Sequence, residues 1–162
     1  MSRYWTDGMI LKTLTRKVCG ALDTPNCFHG SFILRKLLSD LGIPAEVAYV
    51  TVEKKGQQVL DEHYIVRCNG VMCDPTSFQI AEAPPYIVSN VDADGSCSIA
   101  GLRYEPNDSN GTALLQGQGF DYVKDALDNG YVGEEGVAML VEVTQRIKLS
   151  LQDESHESGR ES

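Results

Sequence analysis

The sequence predicts an α+β domain in which a helix opening at Cys27 packs on an antiparallel β-sheet that carries His63 and Asp74. Three observations predict it. An apolar helical repeat runs from Cys27 to about Leu41. Two strand-like runs, Leu60 to Cys68 and Val71 to Asp74, flank Asn69-Gly70, the strongest short hairpin signal a sequence offers. Ala45 to Glu53 is apolar on both alternating faces, the pattern of a strand in the middle of a sheet.

The elements follow in order. Tyr4 to about Ala21 reads as a helix, with Trp5, Met9, Leu11, Leu14 and Val18 near helical spacing and Gly20 close to its end. Asp23-Thr24-Pro25-Asn26 is a turn whose side chains suit the free N–H groups of a helix start. In the helix that follows, Phe28, Phe32, Ile33, Leu37, Leu38 and Leu41 make the apolar face, while Arg35, Lys36, Ser39 and Asp40 fall off it. Gly42 is a suitable residue just past the helix end, and Pro44 blocks continuation. After the strand from Ala45, an exposed turn is expected over residues 54–58, and Pro75 ends the third strand.

Beyond Ile80 the pattern thins. Short strands are expected at Tyr86-Ile87-Val88 and Cys97-Ser98-Ile99, with Asp92-Ala93-Asp94-Gly95 as a hairpin turn between them. Glu105 to Gly119 reads as a loop, Phe120 to Leu127 as a short helix, and Gly136 to Leu151 as a final helix, with a strand open as the alternative. The whole of 1–151 reads as one domain. Residues 152–162, rich in Glu and Ser, read as a disordered acidic tail.

Composition narrows the function. A chain of 162 residues with 42% hydrophobic and 23% charged residues is long enough to bury a core. A net charge of -9 without a run of Lys or Arg argues against nucleic acid as a partner. No apolar stretch reaches signal-peptide or membrane-spanning length, so a protein without membrane contact is expected, cytoplasmic or exported by another route. Five cysteines at irregular spacing (Cys19, Cys27, Cys68, Cys73 and Cys97) read as reduced thiols rather than a disulfide framework.

The hairpin makes a geometric prediction. With Asn69-Gly70 as the turn, Cys68 faces Val71, Arg67 faces Met72 and Ile65 faces Asp74. His63 and Asp74 then lie on one face as diagonal neighbours, about 7–8 Å apart at Cα, within reach of two side chains. A one-residue slip would separate them. Cys27 opens a helix, where unpaired N–H groups and the helix dipole favour a thiolate. A thiol nucleophile needs a base and a group that orients the base, and Cys27, His63 and Asp74 are those residue types. The Cys27 backbone N–H is a natural oxyanion donor, with Trp5, Tyr4 or Asn26 as candidates for the second.

These residues resemble the transglutaminase-like branch of the papain-like thiol enzymes. The match runs from Asn26-Cys27 through Leu37-Leu38-Ser39-Asp40-Leu41-Gly42-Ile43-Pro44-Ala45, the strand Val47-Ala48-Tyr49-Val50 and His63-Tyr64-Ile65-Val66 to Cys73-Asp74-Pro75-Thr76. The resemblance covers about a third of the chain. It implies a papain-like core, with Cys27 as nucleophile, His63 as base and Asp74 as orienter. It implies thiol-dependent acyl transfer or hydrolysis on a peptide or protein amide, as a peptidase, amidase, glutamine deamidase or crosslinking enzyme, with neither metal nor organic cofactor. Arylamine acetyltransferases share the three residue types, but their Arg-Gly-Gly lead-in to the cysteine is absent here.

Other candidate sites are weaker. Cys68 and Cys73 lie off the face of His63 and lack a second ligand pair for zinc. In Asp92-Ala93-Asp94-Gly95 the glycine comes too early for a calcium loop. Residues Pro84 to Gly119 are expected to shape a substrate groove. The rival from another class is an inactive protein-binding module that keeps this fold. Substrate identity and oligomeric state stay open.

Overall fold

The computed structural model describes residues 7–22, 27–107, 138 and 141–152. The first helix, α1, spans Asp7–Ala21. Its inward stripe is Ile10, Leu11, Leu14 and Val18, all buried, at the spacing of one helix face. Met9, expected in that stripe, is instead 50% exposed, because the face that docks is rotated by one residue to Ile10. The second helix, α2, spans Cys27–Asp40. It ends as the sequence predicts. Gly42 adopts φ 76°, and the N–H groups of Gly42 and Ile43 donate to the carbonyls of Ser39 and Leu38 at 3.0 and 2.9 Å. That is the Schellman arrangement, which glycine enters without steric cost. Arg35, expected off the apolar face, is also buried, since α2 is covered by the sheet on one side and by α1 on another.

Six strands follow: β1 Glu46–Lys54, β2 Gln57–Cys68, β3 Val71–Asp74, β4 Ile87–Asn90, β5 Cys97–Ile99 and β6 Leu102–Pro106. They form one sheet in the order β4-β3-β2-β1-β6-β5, and every neighbouring pair is antiparallel. The mixed α+β class read from the sequence is thus the observed one, and β1 is internal as its two apolar faces require. The Asn69-Gly70 hairpin has the expected register, with Cys68 opposite Val71, Arg67 opposite Met72 and Val66 opposite Cys73.

Two expectations are corrected. Asp92 to Gly95 turns the chain, with Gly95 N–H on the Asp92 carbonyl at 2.9 Å. Yet the strands it joins, β4 and β5, are not ladder partners but the two opposite edges of the sheet, so the segment is a corner rather than a hairpin. It can link them because the sheet curls until its edges come into contact. The second correction is β6. Glu105 belongs to a strand rather than a loop, and β6 pairs with both β1 and β5. Its alternating run is only five residues and ends at Pro106, too short to be read against the polar sequence after it.

The core has two halves, one on each face of the sheet. Between helices and sheet lie Leu14, Val18, Phe32, Leu37, Val47, Val66, Cys68 and Cys73, with Val143 and Ile147 from a third helix, α3, over 141–152. Among the described residues that helix settles the strand alternative for the C-terminal segment. Asp40 is bonded to both Lys36 and Lys148, tying α2 to α3. The concave face of the sheet holds Ala48, Val50, Val52, Ile65, Met72, Ile87, Leu102 and Tyr104. The expected short helix over 120–127 and the tail lie outside the described residues, save Gln152, which is still helical. No helix among the described residues is long and apolar enough to cross a membrane.

Candidate active site

Cross-strand partners point to the same side of a sheet. His63 sits opposite Val50, Asp74 opposite Ile87 and Tyr104 opposite Val52, and all three partners belong to the concave core. The hairpin register therefore places His63 and Asp74 on one face, and their side chains meet: His63 Nε2 is 2.8 Å from Asp74 Oδ2. Both residues are fully buried. A bulge lies beside His63. Val50 pairs with His63 but Val52 with Leu60, so β2 holds one more residue than β1 across that step. Bulges of this kind re-aim side chains.

Cys27 arrives from the other layer. It is the first residue of α2 and only partly buried. Aromatic packing fixes where that helix start lands. Phe28, the residue after Cys27, meets the ring of Tyr64, the residue after His63, edge-on with centroids 5.6 Å apart, and Tyr64 packs in turn on Tyr49 at 5.1 Å. Gly30, one turn on, lets the helix approach the Asp74-Pro75-Thr76 turn. A Cβ there would stand 2.9 Å from Thr76 Cγ2 and 3.2 Å from Pro75 Cγ, so the close approach explains a glycine that helix propensity alone disfavours. The ladder between β2 and β3 stops at Val66 and Cys73. Beyond it the Cys27 sulfur hydrogen-bonds both the His63 side chain and the Tyr64 backbone N–H.

The electrostatics follow from these contacts. Burial pushes the Cys27 thiol up, but the hydrogen bond and charge of His63, with the Tyr64 N–H, outweigh it and hold the thiol below its ordinary value. Burial pushes the His63 imidazole down, and the Asp74 carboxylate and the Cys27 contact overcome that and raise it to about 10. Burial would raise Asp74, yet His63, Tyr104 and Thr76 hold its carboxyl below the usual range. A buried carboxylate is tolerable only when its lone pairs are occupied. Asp74 has four donors: His63 Nε2 and the Tyr104 hydroxyl (2.6 Å) on Oδ2, and the Thr76 N–H (3.0 Å) and hydroxyl (3.3 Å) on Oδ1. The Thr76 pair is the local turn that Asp-Pro-Thr encodes.

No family model matches this chain, and neither does any curated protein or solved structure.

The structure thus brings together Cys27, His63 and Asp74, the three residues singled out in the sequence. Two more belong to the site and were not singled out. Gln79, in the 3-10 turn Ser77–Gln79, places its Nε2 3.0 Å from His63 Nδ1. Tyr104 reaches Asp74 from β6. For Tyr104 the alternation of Leu102 to Glu105 was a faint signal, and for Gln79 there was none beyond its place shortly after Asp74. Trp5, Tyr4 and Asn26, named as oxyanion donors, and the Asp23 to Asn26 cap lie outside the described residues. Cys68 and Cys73 sit in the helical half of the core, away from His63. Among the described residues no group of three or more His, Cys, Asp or Glu gathers as a metal would need.

Tyr104 supports one prediction here. Tyr104→Phe leaves the ring packing and removes one donor to a buried carboxylate. It is expected to lower unfolding stability by about 1–3 kcal/mol, measured by urea titration at neutral pH. No loss would mean that Asp74 does not depend on that bond.

Proposed function

We propose that this protein is a cysteine-nucleophile enzyme acting on a peptide or protein amide, built on a transglutaminase-like core. The observation that carries the reading is the hydrogen bond between a partly accessible thiol at a helix start and a buried histidine whose Nε2 is bound to a carboxylate. Desolvated histidine–carboxylate pairs are costly to bury, and one joined to a thiol has the form of a nucleophile with its base and orienter.

The chemistry runs in two halves. The Cys27 sulfur attacks the amide carbonyl carbon, and the carbonyl electron pair moves to oxygen, which the Cys27 backbone N–H can stabilise. As the C–N bond breaks, imidazolium His63 gives its proton to the leaving nitrogen, which departs as an amine, or as ammonia from a glutamine side chain. The acyl group remains as a Cys27 thioester. Water, or an amine, then attacks that carbonyl with His63 as base, and the thiolate leaves. Asp74 holds the imidazole by Nε2 throughout and balances its charge. Five free cysteines fit a reducing compartment.

Support for the family is the order and spacing of the motifs named above, together with the meeting of their side chains. The test is turnover. Peptide and glutamine-containing substrates are incubated with the protein, and amine or ammonia release is followed beside the intact mass of the enzyme. The expected result is release that Cys27→Ala abolishes, with an acyl adduct on Cys27 in rapidly quenched samples. Release that persists in Cys27→Ala would overturn the assignment of the nucleophile. No adduct and no release would leave the fold as a binding module.

A further inference from the structure

Strand β2 carries a row of backbone groups that β3 serves only in part. In the two-residue hairpin Cys68 and Val71 face each other across the turn and exchange backbone hydrogen bonds. The residues of β2 that turn their N–H and C=O groups toward β3 are then the alternate ones: Cys68, Val66, Tyr64 and Glu62. The ladder serves the first two, since it ends at Val66 and Cys73. Pro75, which by that register would stand opposite Tyr64, has no N–H to give and lies against Gly30 of α2 with Thr76. The Tyr64 N–H goes to the Cys27 sulfur instead. For Glu62, one step further, no ladder partner stands among the described residues, and no turn or loop among them bonds to its backbone. The neighbouring Asp61 carbonyl is turned the other way, accepting from the Thr51 hydroxyl of β1 at 3.2 Å. Gln57, Gln58, Val59 and Asp61 are exposed, so this stretch of edge is open to solvent.

An unpaired strand edge is a template for a further strand. We infer that this edge binds the substrate, as an extended peptide segment added to β2 in the place that β3 leaves. The inference rests on the proposed thiol chemistry and fixes the class of substrate it takes. What names the occupant is continuity with the thiol. Outward groups on one strand recur every two residues, about 7 Å apart, so a chain bonded to Glu62 passes the Cys27 sulfur two residues along. The sulfur holds the Tyr64 N–H as a ladder partner would, in the line of that chain, and the carbonyl it meets is one of the chain's own. This selects a loop or unfolded segment cut in its main chain over a glutamine side chain. Beyond Glu62 the bulge breaks the alternation of the ladder, so the regular row holds only the segment next to the scissile amide.

Alkylation of Cys27 by peptide probes, followed by intact mass, tests it. Chloroacetyl-tetra-alanine amide and acetyl-tetra-alanine chloromethyl ketone lead a chain away from the sulfur in opposite directions, and chloroacetamide is the reagent without a chain. Each peptide is also made with one amide N-methylated at a time, which removes one donor. One amide of one probe is expected to be sensitive, its N-methylation slowing labelling about fivefold, the worth of one hydrogen bond, while the amides on either side are tolerated. Glu62→Pro removes the outward N–H, a loss that an edge without a ladder bond accepts. It is expected to slow the same probe about fivefold and to leave the chloroacetamide rate unchanged. Rates that are equal for every N-methylated form, or that fall alike at adjacent amides, overturn the inference, as does a Glu62→Pro that reacts with both probes like wild type. Ammonia released from glutamine peptides whose backbone stays uncut overturns it as well. In each of these cases a chloroacetamide rate that falls in His63→Ala leaves the enzyme reading intact. A Cys27 that titrates as an ordinary thiol and ignores His63→Ala overturns the reading beneath it.

Discussion

His63→Ala is expected to slow alkylation of Cys27 by iodoacetamide at pH 6 by about 100-fold, because less of the thiol is then ionised. The thiolate is the reacting species, and its population at that pH depends on what offsets the cost of a charge near a buried wall. In the native site the offset is the imidazole hydrogen bond and charge, helped by the Tyr64 N–H. Removing the ring leaves the Tyr64 N–H and the helix start, while Asp74 loses its cation and repels the thiolate. The rate is followed by mass mapping of the Cys27 peptide. Three of the other cysteines are buried, and Cys19 is pushed up by burial and by the charge of Asp74, so background labelling at pH 6 is slow. Equal rates in wild type and His63→Ala would mean that the contact between thiol and imidazole has no chemical consequence.

The second large effect falls on stability. Asp74→Ala is expected to cost about 3–5 kcal/mol, the penalty for removing one partner of a buried charged pair. It strands His63, Tyr104 and Thr76 without their common acceptor. The same pair sets the pH dependence of the wild-type fold. His63 is raised from its unfolded value of 6.5 to about 10, so the folded state holds that proton more tightly. Its contribution is complete below about pH 6.5 and is lost as pH rises through about 10. Asp74 is lowered from 3.8, so its contribution is present above that value and is lost as pH falls through the folded one. Urea titrations from pH 3 to 10.5 are expected to show a maximum between about pH 4 and 6.5, with losses on both sides that flatten in Asp74→Ala. A variant that keeps both slopes would assign the pH dependence to other groups.

The two effects come from one arrangement. The sheet buries a charged pair on its concave face, and the aromatic contact of Phe28 with Tyr64 brings a helix start to the rim where that pair can touch a thiol. The same buried pair that stability depends on at Asp74 holds the Cys27 thiol below its ordinary value.

Local sequence determined much of this. Asn69-Gly70 can form only a tight hairpin of one register, and that register puts His63 and Asp74 on one face because side chains alternate with period two. Gly42 ends α2 because its backbone tolerates φ 76°. The apolar repeat of α2 makes the helix, and so Cys27 its first residue. Tertiary structure decided the rest. Tyr104 reaches Asp74 only because β6 pairs with β1 across some fifty residues of chain, a closure that no local pattern encodes. Gln79 meets His63 because the Asp74-Pro75-Thr76 turn folds the following 3-10 turn back over the imidazole. Met9 and Arg35 were misplaced by periodicity for the same reason. Which helix face is buried depends on what packs against it, and in α2 more than one face is covered. Spacing along the chain sets which side chains share an element's face, while the donors that complete a buried charge come from wherever the packed chain passes.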